Sequence, residues 1–557
     1  MSENMSLSPP VSLHRPWLAL AALALAACAA PGVALHGPVS APARTEGAPG
    51  APLAWADFTP ATFAKARAEH RFIVLDGAAE WCHWCHVMEA KTYHDPAVAA
   101  LLASRFIAVK VDIDARPDIA ERYGDWGWPA TVIFSPDAQE LGKYRGYIAP
   151  GDFAGILRDV IAGASDTAAR IKMTPLARTG ERLSDAELSW IERSTEVALD
   201  DYYDDDEGGW GKAQKAAIAS DNAWALYRAR AGDTVMRERV LFTLDKQRAL
   251  LDPVWGGLYQ YSVGRDWTHP HFEKLMAFEA GAIDSYARAF ALTGEPRWLD
   301  VAQSVRRYVD AFLTSKEGGF YATQDADLNA HDPTRPFLSG PEYYAKDDAG
   351  RRASGVPRVD THEYGHENGL AIAAYVTLYE ATCTRGCQEP VVATAERAAA
   401  RILATHRTAT GAIAHDAEPG ARIVHLADNA SIGYALYRLY EATRNVAHRD
   451  EAQQLAEVLL RDFVDSESGG FFASTLDLDA VGVFAQRRIP FEDNVTAIRL
   501  LAELGRHGPE SDRARYAAAA ERALSAIAAP ERIRGQGRMI GDFLLAIEDV
   551  RALRHAP

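Results

Sequence analysis

Three observations predict a multidomain chain, an α/β domain followed by an all-α (α/α)6 toroid. At 557 residues, 48% hydrophobic and 24% charged, the chain is too long for one compact core and rich enough to fill two. Short apolar strands surround Trp81-Cys82-His83-Trp84-Cys85 near one end. Beyond about residue 180 the periodicity turns helical and is punctuated by glycine turns.

The N-terminal segment reads as a targeting signal. Arg15 precedes the apolar run Trp17–Ala27, which is of signal-peptide length and too short to span a bilayer. Leu25-Ala26-Ala27-Cys28 is similar to a bacterial lipoprotein cleavage box, so residues 1–28 are expected to form a lipoprotein-type signal with Cys28 lipidated. An ordinary cleaved signal is the alternative. Residues 29–54, rich in Ala, Pro and Gly, read as a flexible linker. The expected location is the cell envelope, on the periplasmic side, with membrane contact only through the lipid anchor.

Residues 55–165 carry the α/β domain. Arg71-Phe-Ile-Val-Leu-Asp76 reads as a buried strand, Arg105–Asp112 as a second, and Ala130-Thr-Val-Ile-Phe134 as a third preceded by Trp128-Pro129. Strand, C-x-x-C at a helix start, strand, helix, proline, strand is the thioredoxin order. Helices are expected near 60–70, from 83, at 117–123 and 151–163, with a further strand at 140–146. Zinc is the competing reading of C-x-x-C, but no second cysteine pair lies nearby to complete a tetrahedron.

Placement supplies the chemistry. Unpaired N–H groups at the helix start stabilise a Cys82 thiolate, and His83 or His86 as imidazolium adds to that. Cys82 is therefore the expected nucleophile, Cys85 the resolving thiol, and a mixed disulfide the intermediate. Asp76, six residues before Cys82, aligns with the buried carboxylate that thioredoxins place beneath the pair to accept the resolving thiol's proton, with an ordinary strand-end turn residue as the alternative. Trp128-Pro129 is expected to be cis, with backbone open to an extended substrate. Trp81, flanking the pair, is counted with this catalytic group. Tyr93 and His94 read as helix-surface residues. Cys383 and Cys387 are expected to close a small structural disulfide in an oxidising compartment, worth roughly 2 kcal/mol.

Residues 180–557 contain twelve candidate helices. The odd ones, near 184–201, 233–251, 297–314, 389–406, 449–465 and 511–528, each run into a turn: Gly208-Gly-Trp-Gly, Gly256-Gly-Leu-Tyr, Gly318-Gly-Phe-Tyr, Thr410-Gly-Ala-Ile, Gly469-Gly-Phe-Phe and Arg534-Gly-Gln-Gly. Six equivalent hairpins imply a closed toroid, with an open solenoid as the competing arrangement. The third connection, 324–362, is unusually long.

Polar residues gather where the even helices begin: Asp221-Asn222, His269, His271 and Glu273, His362, His366 and Glu367, His425 and Asp428-Asn429, Glu492-Asp493-Asn494, and Asp542. N-capping accounts for part of this set. The histidines and the aromatics Trp210, Trp267, Tyr321 and Tyr343 in the same loops point instead to a sugar-binding mouth. His269, His271, Glu273, His366, Glu367, Asp428, Glu492 and Asp493 are its candidate ligand-binding residues. No metal set is legible in any one hairpin, and no cofactor motif is read. A net charge of −17 argues against nucleic acid.

Cys82-His-Trp-Cys-His86-Val-Met, Gly127-Trp-Pro129, Gly256-Gly-Leu-Tyr-Gln-Tyr-Ser-Val and His271-Phe-Glu-Lys274 together resemble the thioredoxin-domain proteins related to spermatogenesis-associated protein 20. The resemblance implies a thioredoxin-like domain joined to a six-hairpin toroid similar to N-acylglucosamine 2-epimerases and six-hairpin glycosidases. After Gly208-Gly-Trp-Gly the family's Pro-Lys-Phe-Pro-like run is replaced by Lys212-Ala-Gln-Lys-Ala-Ala. Three functions follow as expectations. The first is a thiol–disulfide oxidoreductase acting on protein thiols or disulfides with an envelope redox partner. The others are a carbohydrate-active epimerase or hydrolase with an accessory redox domain, and a non-catalytic scaffold for glycan or protein.

Overall fold

A computed structural model describes residues 53–124, 127–163, 180–332, 334–383, 386–417 and 420–555. The targeting segment, Cys28 and most of the linker lie outside these residues.

The α/β part runs α1 (Pro60–Glu69), β1 (Phe72–Ala78), α2 (His83–Met88), α3 (Pro96–Arg105), β2 (Phe106–Asp112), α4 (Pro117–Tyr123), β3 (Ala130–Phe134), β4 (Glu140–Arg145) and α5 (Pro150–Ile161). Strand order is β2-β1-β3-β4, with β1 and β2 parallel and the other pairs antiparallel. Central β1 is buried on both faces, which is why its residues are apolar without alternation. Ile73 and Leu75 join the core holding the cysteines, and Val74 joins the opposite one.

The helix expected from residue 83 is two elements. α2 widens into a π turn at Glu89–Tyr93, and α3 starts afresh where Asp95 accepts the Ala97 and Val98 amides. Tyr93 corrects the surface reading: it is 2% exposed and packs edge-on to Trp55 and Phe153, because the π turn rotates it inward.

The helical part begins with α6 (Asp185–Tyr202), β5 (Lys215–Ala216), α7 (Ala219–Arg230) and α8 (Thr234–Gln247). It continues through β6 (Tyr261–Ser262), β7 (Pro270–His271), β8 (Lys274–Leu275), α9 (Met276–Thr293), α10 (Pro296–Phe312) and β9 (Thr323–Gln324). The long third connection folds as α11 (Gly340–Tyr344), α12 (Asp348–Ser354) and β10 (Val359–Asp360). Then come α13 (Gly365–Thr382), α14 (Glu389–Thr405), α15 (Leu426–Thr443), α16 (Val446–Val458), α17 (Phe491–His507), α18 (Glu510–Ile527), α19 (Pro530–Gly535) and α20 (Gly541–Arg554). α7, α9, α13, α15, α17 and α20 pack each on the next, and α20 returns to α7. The inner ring is closed, so the chain is an (α/α)6 toroid.

Five glycine turns share one geometry. In each, a residue just past the outer helix exchanges hydrogen bonds with the turn, as Asp252 N–H does with Gly257 O at 3.0 Å and Gly256 N–H with Asp252 O at 3.0 Å. Gly256 has φ +76°, and an added Cβ would stand 2.5 Å from the Ser304 carbonyl oxygen, so only glycine fits. The sixth turn departs from the expectation: short helix α19 replaces it.

Asn residues near the inner-helix starts fasten these turns. Asn494 Oδ1 accepts the Phe471 N–H at 2.8 Å while its Nδ2 donates to the Phe471 carbonyl at 2.8 Å. Asn429 clamps Ile413 and Asn368 clamps Phe320 in the same way. In the second hairpin the Glu279 carboxylate takes the Leu258 amide. Lys215, in the run that departs from the family pattern, still reaches Asp204 and the carbonyls of Gly208 and Gly211.

The α/β part seats on the toroid mouth. Phe484 packs against Phe58, Phe63 and Phe134, and Arg488 pairs with Glu121 at 3.1 Å. On the other side Arg358 pairs with Glu80, and His415 Nε2 donates to the Asp114 carbonyl at 2.7 Å. Among the described residues, no helix is long and apolar enough to cross a membrane.

Candidate functional site

Cys82 is the N-cap of α2, its Sγ accepting the Cys85 amide at 3.2 Å, and the two cysteines are joined as a disulfide. The helix start therefore turns the Cys85 N–H toward the Cys82 sulfur. Trp81 is buried beside the pair and donates from Nε1 to Asp114 Oδ2 at 2.7 Å. Trp128-Pro129 is cis, and the Pro129 carbonyl accepts the Gly146 amide at 2.7 Å. The Trp128 indole packs over Gly77, inside the α/β domain.

The pair is buried: Cys82 is 4% and Cys85 7% exposed. Toroid residues meet the helix that starts after Cys82. Glu273 Oε1 accepts the His83 N–H at 3.3 Å. Asp327 Oδ2 lies 2.8 Å from His83 Nδ1 and 3.5 Å from His86 Nδ1. Gly340 N–H fixes the other Asp327 oxygen at 2.8 Å. Burial opposes ionisation of Asp327, yet the hydrogen bonds from His83 and His86 hold its carboxyl well below the ordinary range. Burial likewise opposes protonation of His83, and the bond to Asp327 with its charge prevails, lifting that imidazole above its usual value. Exposed Trp84 stands at the solvent edge, near Tyr147 and the His271 ring, which stacks on Tyr261 at 4.3 Å.

Asp76 lies on β1, registered against Lys110 and Thr131, and is 3% exposed. Burial, partly offset by Lys110, pushes its carboxyl up to about 6. A carboxyl at that level exchanges protons near neutral pH, as the proton-acceptor role requires.

The remaining candidates divide. His271 and Glu273 belong to the cysteine site, with His271 Nδ1 3.7 Å from Glu273 Oε2. His366, Asp428 and Asp493 form a second cluster: Asp428 Oδ1 accepts the His366 amide at 2.8 Å and faces His415 Nδ1 at 3.0 Å. Burial raises Asp493 to about 6, with His366 working the other way. Burial opposes protonation of His415, but the charge of and hydrogen bond to Asp428 lift it to about 9. Glu367 has a buried Oε2 with no partner. His269 sits at an exposed hairpin tip, bonded to Asp266 at 3.0 Å, and joins neither cluster. Glu492 is exposed in the first turn of α17. Trp210, Trp267 and Tyr343 are buried packing residues and not cleft walls; Trp267 Nε1 donates to the Glu207 carbonyl. Cys383 and Cys387 are bonded to each other.

Sequence reasoning missed Asp114, Asp325, Asp327, His331 and His415. Only the length of the 324–362 connection marked three of them.

Residues 47–160 match the family model Thioredox_DsbH, described as a protein of unknown function, DUF255. Spermatogenesis-associated protein 20 of Homo sapiens is 30% identical over 317 residues, 51% of this chain and 40% of that one. Thiol:disulfide interchange protein DsbD 1 of Pseudomonas aeruginosa is 32% identical over 126 residues, 21% of each chain. A D-mannose isomerase crystal structure aligns with TM-score 0.49 at 11% identity, covering 66% of this chain and 98% of that one. The chain is thus similar to spermatogenesis-associated protein 20 over about half its own length, and the matched stretch spans about two fifths of the length of that human protein.

Proposed function

We propose that the chain is a thiol–disulfide oxidoreductase of the cell envelope whose toroid shields and tunes its redox pair. The observation that carries this reading is the disulfide at the N-terminus of α2, with His83 held between it and Asp327. Similarity to a thiol:disulfide interchange protein over 126 residues supports it.

The reduced pair acts in two displacements. The Cys82 thiolate attacks a partner disulfide, forming a mixed disulfide and releasing one partner thiolate. Cys85, giving its proton to Asp76, then attacks the Cys82 sulfur. The Cys82–Cys85 bond forms, the second partner thiolate leaves, and two electrons have passed to the partner. The reverse sequence oxidises a dithiol. His83 as imidazolium stabilises the Cys82 thiolate. Substrate enters past Trp84, or by movement of the toroid residues Glu273 and Asp327. Lipid attachment at Cys28 and an envelope redox partner belong to this proposal.

Insulin reduction by the full chain tests it. Activity is expected in the parent and lost in Cys82→Ala and Cys85→Ala; equal rates in all three reject it.

A second reading, carbohydrate binding at the mouth, is favoured by Glu367, whose buried Oε2 lacks a partner beside the His366–Asp428 cluster. Thermal-shift screening of sugars, with Glu367→Gln as control, tests it.

A further inference from the structure

His86 at the end of α2 and the loop following β9 bring three ligand atoms to one point. His86 Nε2 and His331 Nε2 are 3.1 Å apart, and Asp325 Oδ2 lies 3.6 Å from His331 Nε2. All three atoms fall within 4.8 Å of one another. Both imidazole nitrogens also stand 2.9 Å from the Glu80 carbonyl oxygen.

Asp325 is 2% exposed, and its Oδ2 has no hydrogen-bond partner, although Oδ1 accepts the Asp327 amide at 2.9 Å. A buried carboxylate oxygen aimed at two imidazole nitrogens is costly unless something between them takes its lone pair. The outer contacts are those of a metal ligand. Asp327 Oδ2 lies 3.5 Å from His86 Nδ1. Without metal each Nε2 donates to the Glu80 carbonyl; a cation that displaces the Nε2 proton leaves His86 protonated at Nδ1, toward Asp327, the carboxylate–histidine arrangement that orients metal-bound imidazoles.

We propose that His86, Asp325 and His331 bind a first-row divalent cation of the zinc type, joining the thioredoxin-like domain to the toroid. Two imidazoles and one carboxylate form a borderline-soft donor set that zinc takes in tetrahedral sites. The Glu80 carbonyl or a water supplies the fourth position. His331, with its side chain 36% exposed, leaves the site open to entry. One ligand comes from α2 and two from the β9 loop, which is why no single hairpin reveals the set. Bound metal would pin the toroid over the cysteine pair.

The test uses the full chain, freed of metal by chelator, with Cys82–Cys85 kept oxidised so that thiols take no part. Zn²⁺ is titrated by calorimetry, Co²⁺ by its visible absorption, and each form is melted with and without Zn²⁺. The expected result is one equivalent bound and a raised melting temperature. His331→Ala and Asp325→Asn should each weaken binding at least about tenfold and abolish the thermal shift. His331 is at the surface, so its variant stays folded, which circular dichroism verifies. No binding at about 1 mM Zn²⁺, or binding unchanged in both variants, overturns the site. Disulfide exchange is not read in this experiment, so its result is separate from the redox reading.

Discussion

Glu273, on the toroid, accepts the backbone N–H of His83, the first residue of the helix that carries the redox pair. A carboxylate at a helix N-terminus takes up the positive end that would otherwise serve a thiolate. Under the proposed redox role, this contact would let the toroid act on the cysteine chemistry directly. In Glu273→Gln the reduced Cys82 should react with iodoacetamide several-fold faster at pH 7, because the competing negative charge is gone. An unchanged alkylation rate would separate Glu273 from the pair.

The seam between the two parts carries a second coupling, His415 with Asp428. The folded-state His415 is lifted to about 9, against an ordinary value of 6.5, so the folded form holds the extra proton between these values. Its contribution is complete below about pH 6.5 and is lost as pH rises through 9. Melting temperatures recorded from pH 6 to 10 should fall across that window in the parent. His415→Gln should flatten the slope, and an identical slope in both refutes the assignment.

The asparagine clamps make the turns expensive to disturb. Asn494→Ala leaves the Phe471 N–H and C=O without their partner in the core and should cost about 2–4 kcal/mol. Urea midpoints measure this, and a change no larger than that of an exposed substitution would assign the clamp no energetic role.

Lys274 and Arg351 both meet Asp252 Oδ2, at 2.8 and 2.7 Å, with all three side chains 0% exposed. Lys274→Met leaves that carboxylate with one cation and should destabilise by roughly 3–5 kcal/mol. Unfolding by denaturant again gives the value.

Much of the fold is legible in the residues because its signals are local. Pro117 at a helix start, Ser184 with Glu187 as a capping box, and the glycines that need positive φ each mark an element boundary by themselves. The ring follows from periodicity repeated six times. The site is only half legible. Cys82, Cys85, Asp76 and Pro129 form a pattern along the chain, but Asp327 joins His83 across 244 residues of sequence. Nothing local in the connection after β9 shows that Asp325, Asp327 and His331 will turn toward α2. Tyr93 was misread because a π turn shifts the phase of a helical pattern. His269 was misread because a hairpin tip and a hairpin base look alike in sequence.

In the proposed function Cys82 and Cys85 exchange two electrons in the folded chain. A redox titration of the full chain in glutathione buffers, read by mass of the alkylated thiols, is the decisive measurement. The two cysteines should titrate together as one two-electron couple, within the range of about −120 to −270 mV spanned by thioredoxin-like proteins. A pair that stays oxidised below about −300 mV, and opens only when the chain unfolds, would be a structural bond and would rule out the exchange.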